Sequence, residues 1–300
     1  MHTLLSDFTL VGAGSLGTVL GRSLVKLGLR LDQIVVRQQQ SAQKMLLELE
    51  QGKIVELKSW KGTDSPLVII AILDDQLEDL SELLAKSGNW EGKTVLHTSG
   101  VHNNEVLRPF ANKGAFTGSF HPLQTFVGTE ERAAFRGITV GVEGDPTAVV
   151  TARQLADALL AEAVEISSEN KSLYHAAAVL AGNAAITLLS VSEEIWEKAA
   201  GSRSGFTAAM GPLLKTSVQN SLVYGPSRAL TGPIERGDVG TLKEHFVAIA
   251  ARLPHLLALY GSIATETVHL AVRSGRLPAD KAVELLDVIS NYVLGEATSE

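Results

Sequence analysis

The chain is expected to fold as an α/β protein: a doubly wound, mostly parallel sheet domain over residues 1–166, followed by an all-α C-terminal domain over residues 167–300. Three observations predict this. A short apolar run, Phe8, Leu10 and Val11, leads into Gly12, Gly14 and Gly17 and then into a helical pattern marked by Leu16, Val19, Leu20, Leu24 and Leu27. Leu67 to Leu73 is an unbroken apolar run, the signature of a parallel strand covered on both faces. Strand and helix patterns alternate to about residue 166, and beyond it only helical patterns remain.

The first element carries the most chemistry. Its G-x-G-x-x-G spacing, between a strand and a helix, marks a Rossmann-type dinucleotide loop. Gly12 permits the tight turn, Gly14 lets the backbone approach a pyrophosphate, and Gly17 lets the helix lie close on the strand. The free amides at the helix start, with Ser15 and Leu16, face the phosphates, where unpaired N–H groups and the helix dipole favour negative charge. Leu73, ending the fourth strand pattern, joins this expected cofactor set. The second strand is expected over Gln33 to Val36, and an NAD site would carry a carboxylate at its end. Here Arg37 stands there, and Asp32 lies at the opposite end. A guanidinium beside Gln38 and Ser41 suits a 2′-phosphate, so NADP(H) is expected over NAD(H); the competing reading of Arg37 is a solvated surface arginine.

Composition narrows the function classes. At 300 residues and 45% hydrophobic content the chain can bury a large core. The net charge of −7 and the lack of basic runs with interleaved aromatics argue against a nucleic-acid partner. Zero cysteines remove disulfides and thiolate chemistry and fit a cytoplasmic protein. The strand pattern starts within ten residues of Met1, which leaves no room for a signal peptide. Ala176 to Ser192 is uncharged but shorter than a membrane span needs, so it reads as a helix buried inside protein, and no membrane or metal is expected.

The remaining elements follow in order. Ser41 to Glu50 reads as helix and Lys53 to Leu57 as a short strand; Asp75 is placed to cap a helix running to Lys86. Thr94 to His97 is the next strand, and Thr98-Ser99-Gly100 follows it at the end where such sheets bind ligands, either lining a cleft or capping a turn. Strands are expected over Ala115 to Phe120, Gly137 to Val142 and Ala163 to Ile166, with a helix starting at Pro146. In the helical half the segments are Ser168 to Ala199, Phe206 to Val223, a short piece after Pro226, Thr241 to Ala251, Pro254 to Arg273 and Pro278 to Val293. Thr241-x-x-Glu244 is a candidate capping box. Gly232 to Asp238 reads as an interhelical loop from which Arg236 reaches an anionic substrate or forms an external salt bridge.

Lys171, His175 and Asn183, spaced by four and eight, share a broad face of one helix. A reductase needs a proton donor within reach of the heteroatom that gains charge, and a polar group to hold that atom. Lysine and histidine can donate, and asparagine can orient. Each also has a plain reading, as a solvated lysine, a packed histidine and an amide satisfied by backbone.

The set formed by Gly12 to Gly17, His97 to Gly100, Ser119 to Phe126, Lys171 with Tyr174-His175 and Asn183, and Gly232 to Asp238 resembles a bacterial family. That family joins a Rossmann-like domain to a helical domain of formerly unknown function. It is grouped with the 6-phosphogluconate dehydrogenase-like proteins, near pyrroline-5-carboxylate reductase. The resemblance implies NADP(H) binding, a helical domain that often supports homodimers, and in some relatives an alternative ketopantoate reductase activity. In the related β-hydroxyacid dehydrogenases a helix lysine is the acid–base, with asparagine one turn later. Lys171 matches that lysine, but His175 stands at the asparagine position and Asn183 comes two turns beyond it. The expected activity is NADPH-dependent reduction of a small 2-oxo acid, ketopantoate first, with Lys171, His175 and Asn183 catalytic and Ser99, His121 and Arg236 binding substrate. The alternatives are an imine or pyrroline reductase, or an NADP(H)-binding protein without turnover. Whether Lys171 or His175 moves the proton is left open.

Overall fold

A computed structural model describes residues 6–126 and 134–295. It divides into two compact units, Met1–Ala185 and Ile186–Glu300. Among the described residues of the first unit, eight strands form one sheet in the order β3-β2-β1-β4-β5-β6-β7-β8. The strands are β1 Asp7–Val11, β2 Arg30–Val36, β3 Lys53–Glu56, β4 Leu67–Ile70, β5 Thr94–His97, β6 Phe116–Pro122, β7 Thr139–Gly144 and β8 Glu162–Glu165. Strands β1 to β6 run parallel; β7 reverses against β6, and β8 runs parallel to β7.

Side-chain alternation explains why the sheet is covered twice. Phe8, Leu10, Leu67, Ile69 and Leu96 belong to one buried cluster, whereas Val11, Val68, Ile70 and Val95 belong to another. The first cluster is closed by helices α1 Ser15–Lys26, α2 Gln40–Leu49 and, farther along the sheet, α5 Pro146–Ala158. The second is closed by α3 Leu77–Ala85 and α4 Arg108–Ala111, with Trp90 packed edge-on to Phe110. Helix α5 begins as expected at Pro146, and the Asp145 side chain accepts from Ala148 N at 3.0 Å.

Some expectations are corrected. Asp32 lies inside β2, near its start, because the strand begins at Arg30. Asp75 does not cap α3: it sits in a 3₁₀ turn, Asp74–Gln76, and Gln76 is the cap. Strand β6 extends through His121 to Pro122, since antiparallel pairing with β7 continues to Pro122 opposite Val140.

After β8 the chain enters α6 Lys171–Val179, a π turn at Leu180–Ala184, and α7 Ala185–Ala200. The division between units therefore falls within this helical stretch and not at residue 166, because Lys171 is held against the sheet. Ala176 to Ser192 is not buried inside the chain. Lys171 is the one buried residue of α6, α7 has none, and Leu180 and Ile186 are 70% and 64% exposed. Among the described residues Ser168–Ala200 is the one helix long and apolar enough to cross a membrane, by length and composition.

In the second unit α8 Phe206–Tyr224 and α9 Pro226–Ala229 precede α10 Val239–Arg252, α11 Leu257–Arg273 and α12 Ala279–Val293. The last three pack around Phe246, Val268 and Leu285, with the Phe246 and Tyr292 rings stacked at 5.2 Å. Asp238, not Thr241, caps α10: its carboxylate accepts from Thr241 N at 3.0 Å and from Thr241 Oγ1 at 2.7 Å. These bonds and the facing N–H hold the Asp238 carboxyl below the usual carboxylate range.

Candidate functional site

The glycine loop is bent as the spacing requires. Gly12 has φ +96°, and a Cβ there would lie 2.2 Å from the Ala71 carbonyl oxygen. A Cβ on Gly17 would lie 2.5 Å from the Gly12 carbonyl oxygen, so glycine at this position lets α1 sit directly on the β1 turn. At Gly14 a Cβ would meet no atom within 4 Å. The loop is packed tight beneath its first and third glycines and open above its second.

That open space belongs to a cleft of about 1100 Å³ along the carboxyl ends of the parallel strands. Gly12, Gly14, Ser15, Leu16 and Gly17 line it, as do Arg37 and Ser41 beyond β2, Leu73 beyond β4 and Thr98 beyond β5. All eight residues expected to hold cofactor thus face one cavity. Arg37 is exposed, and Ser41 Oγ donates to the Gln38 carbonyl at 2.7 Å.

One strand farther along the same edge lies a polar cluster. Lys171, 1% exposed, donates from Nζ to the Ser119 hydroxyl at 2.9 Å and to the Ser99 carbonyl at 3.1 Å. Burial pushes its ammonium down to about 8, opposed chiefly by the Glu143 charge and then by Asp74. His121 Nδ1 and the Tyr174 hydroxyl are 2.9 Å apart, and the His121 ring stands edge-on to both Tyr174 and His175. Burial lowers His121 to about 4 and the fully enclosed His97 to about 3, with the Lys171 charge adding to each, so both imidazoles are neutral at pH 7. Burial raises the Tyr174 hydroxyl to about 12. Gly100 makes this crowding feasible, because a Cβ there would lie 2.4 Å from His175 Cδ2 and 2.8 Å from His121 Nε2.

Among the expected substrate residues, His121 is within this cluster. The Ser99 hydroxyl instead accepts from Val101 N and His102 N at 3.2 and 3.1 Å, which is the turn-capping reading; its carbonyl is what anchors Lys171. Asn183 is exposed and lies in the π turn. An α-helix turns about 100° per residue, so eight residues would leave Asn183 roughly 80° away from His175. The extra residue a π turn absorbs removes most of that angle and aligns the two. Arg236 is an exposed turn residue of the second unit. Sequence reading missed Ser119, Tyr174 and Glu143 as site residues. Among the described residues no three His, Cys, Asp or Glu side chains group to hold a metal ion.

No curated protein matches the chain. Solved structures do. The provisionally named NADP oxidoreductase BF3122 from Bacteroides fragilis matches with a TM-score of 0.73 and 22% identity, covering 88% of this chain and 98% of that one. Protein TM1727 from Thermotoga maritima gives 0.71 and 23%, covering 90% and 100%. An imine reductase from Streptomyces aurantiacus gives 0.56 and 14%, covering 98% and 100%. At these identities the likeness is one of fold. Residues 4–122 match the model of a Rossmann-like domain and residues 138–267 that of a domain of unknown function (DUF2520), and the chain belongs to the family that carries these two domains in succession.

Proposed function

We propose that the protein is an NADPH-dependent reductase of a small 2-oxo acid, with 2-ketopantoate the first candidate. The observation that carries this reading is the continuity of the strand-end edge: a cleft with a bare glycine loop and an arginine at one end, and a buried lysine with two neutral histidines beyond the other. The residues fit a dinucleotide. Gly14 leaves room where a diphosphate must approach, the amides of the α1 start face it, and Arg37 forms no ion pair among the described residues, so its charge is available to a 2′-phosphate. When bound, the nicotinamide supplies the hydride.

The remaining work falls to the chain. Two of the three Lys171 N–H groups are committed to Ser99 and Ser119, which fix the ammonium and leave the third to donate to the substrate oxygen. A group that titrates near 8 exchanges protons readily at neutral pH, as a general acid must. His175 and Asn183 hold the developing alkoxide, and the Tyr174 hydroxyl keeps the His121 ring in place.

An imine reductase is the second reading, favoured by the fold shared with the Streptomyces aurantiacus enzyme. An iminium substrate brings its own proton, so Lys171→Met would spare that activity. With ketopantoate and other 2-oxo acids, Lys171→Met is expected to slow NADPH oxidation at least about 100-fold while NADPH still binds. A variant that reduces 2-oxo acids at the parent rate would refute the first reading. Tight NADPH binding with no oxidation across oxo acids and imines would leave a protein that binds NADP(H) without turnover.

The exposed apolar face of α6 and α7 is assigned to a second copy of the chain. Its uncharged stretch, Ala176 to Ser192, is about 25 Å long at about 1.5 Å per residue. A bilayer core is about 30 Å thick, which favours a protein surface as the cover.

A further inference from the structure

Glu143 has no part in the reading above, yet its position is unusual. It is a carboxylate in the middle of the otherwise apolar β7 run, and it is 3% exposed. The antiparallel register of β6 and β7 sets it directly opposite Ser119, whose hydroxyl receives the Lys171 ammonium. Cross-strand partners point to the same face of a sheet, so the carboxylate and the ammonium approach the Ser119 hydroxyl from two sides. Glu143 Oε1 accepts from Ser168 Oγ at 2.7 Å, and Ser168 precedes Lys171 by one turn. Glu143 Oε2 finds no hydrogen-bond partner among the described residues. A buried carboxylate oxygen left without a donor is costly unless a nearby positive charge compensates it.

We propose that Glu143 is a positioning residue for the reaction: it is the built-in countercharge of Lys171, held by Ser168 so that the buried ammonium keeps its proton at neutral pH. The groups facing Lys171 from the elements packed around it support this. His97 on β5 and His121 on β6 are neutral, and His175 stands one turn along its own helix. Asp74, after β4, lies in a solvent-facing 3₁₀ turn. Glu143 is therefore the carboxylate among them that is buried with the lysine. Remove it, and burial alone would govern the ammonium and strip its proton at a lower pH.

The inference rests on Lys171 being the donor, but the charge coupling can be measured with neither cofactor nor substrate, so the two can fail separately. Lysine 13Cε NMR of the full chain, with the Lys171 signal assigned by its loss in Lys171→Met, follows the titration directly. In Glu143→Gln the Lys171 midpoint is expected to fall, corresponding to an approximately tenfold loss of proton affinity, while Glu162→Gln on exposed β8 leaves it in place. A folded Glu143→Gln protein with an unmoved Lys171 midpoint overturns the proposal. If Glu143→Gln does not fold, the pairing predicts that Glu143→Gln with Lys171→Met does, because removing both members of a buried pair is tolerated where removing one is not. A double variant no more stable than the single one overturns it as well.

Discussion

The three glycines of the first loop make different predictions because their surroundings differ. An alanine Cβ at position 17 would stand 2.5 Å from the Gly12 carbonyl oxygen and 3.3 Å from Ala71 Cβ. Ordinary contact begins at about 3.4 Å, so α1 must move off the β1 turn by roughly 1 Å, an overpacking that costs about 1–3 kcal/mol. At position 14 the same methyl meets nothing within 4 Å, and the backbone there, φ −71° and ψ −175°, is open to any residue. Gly14→Ala should therefore be as stable as the parent, or more stable by about 0.4–1 kcal/mol through the lower entropy of its unfolded chain. It should nonetheless lose NADPH affinity by about tenfold or more, equivalent to about 1.4 kcal/mol, since the methyl occupies the space left for the diphosphate. Urea denaturation and calorimetric NADPH titration of the two variants separate these effects. Undiminished NADPH binding by Gly14→Ala would refute the argument, as would destabilisation of that variant to the level of Gly17→Ala.

Three further outcomes follow from the structure. Arg37→Asp should reverse the preference for NADPH over NADH; an unchanged affinity ratio in fluorescence titrations would return Arg37 to the role of surface charge. His97 at about 3 and His121 at about 4 lie below the ordinary 6.5, so the unfolded chain binds more protons as the pH drops beneath 6.5. Their contribution is complete above pH 6.5 and is lost on the order of 4 kcal/mol per fully buried ring as pH falls toward 3; a urea midpoint that does not drop between pH 7.5 and pH 5 would contradict this. Leu180→Lys combined with Ile186→Lys, at exposed positions, should leave the fold intact and convert a dimer to a monomer in light scattering, and a parent protein already monomeric would refute the second-copy assignment.

What the sequence revealed and what it hid divide along a physical line. The glycine loop, the buried run Leu67–Ile70 and the Pro146 helix start were legible because backbone geometry and side-chain periodicity encode them locally. The Lys171 cluster was only half legible. Its hydrogen bonds join residues 52 and 72 positions apart, and the Glu143–Ser119 pairing exists because β7 reverses direction, which no local pattern reports. A glutamate in the middle of the run Thr-Val-Gly-Val-Glu-Gly was the one available sign. The burial of Ala176 to Ser192 was misjudged for a related reason: periodicity marks a face as apolar without saying whether the same chain covers it.

The two outermost strands have a consequence for how the molecule behaves when concentrated. β3 runs from a lysine to a glutamate and β8 from one glutamate to another, each only four residues long. Short, charged rims of this kind give a neighbouring chain little to zip onto and discourage open-ended polymerisation through backbone pairing. The protein can thus present oily helical surface for self-association while its pleated borders stay closed to runaway assembly.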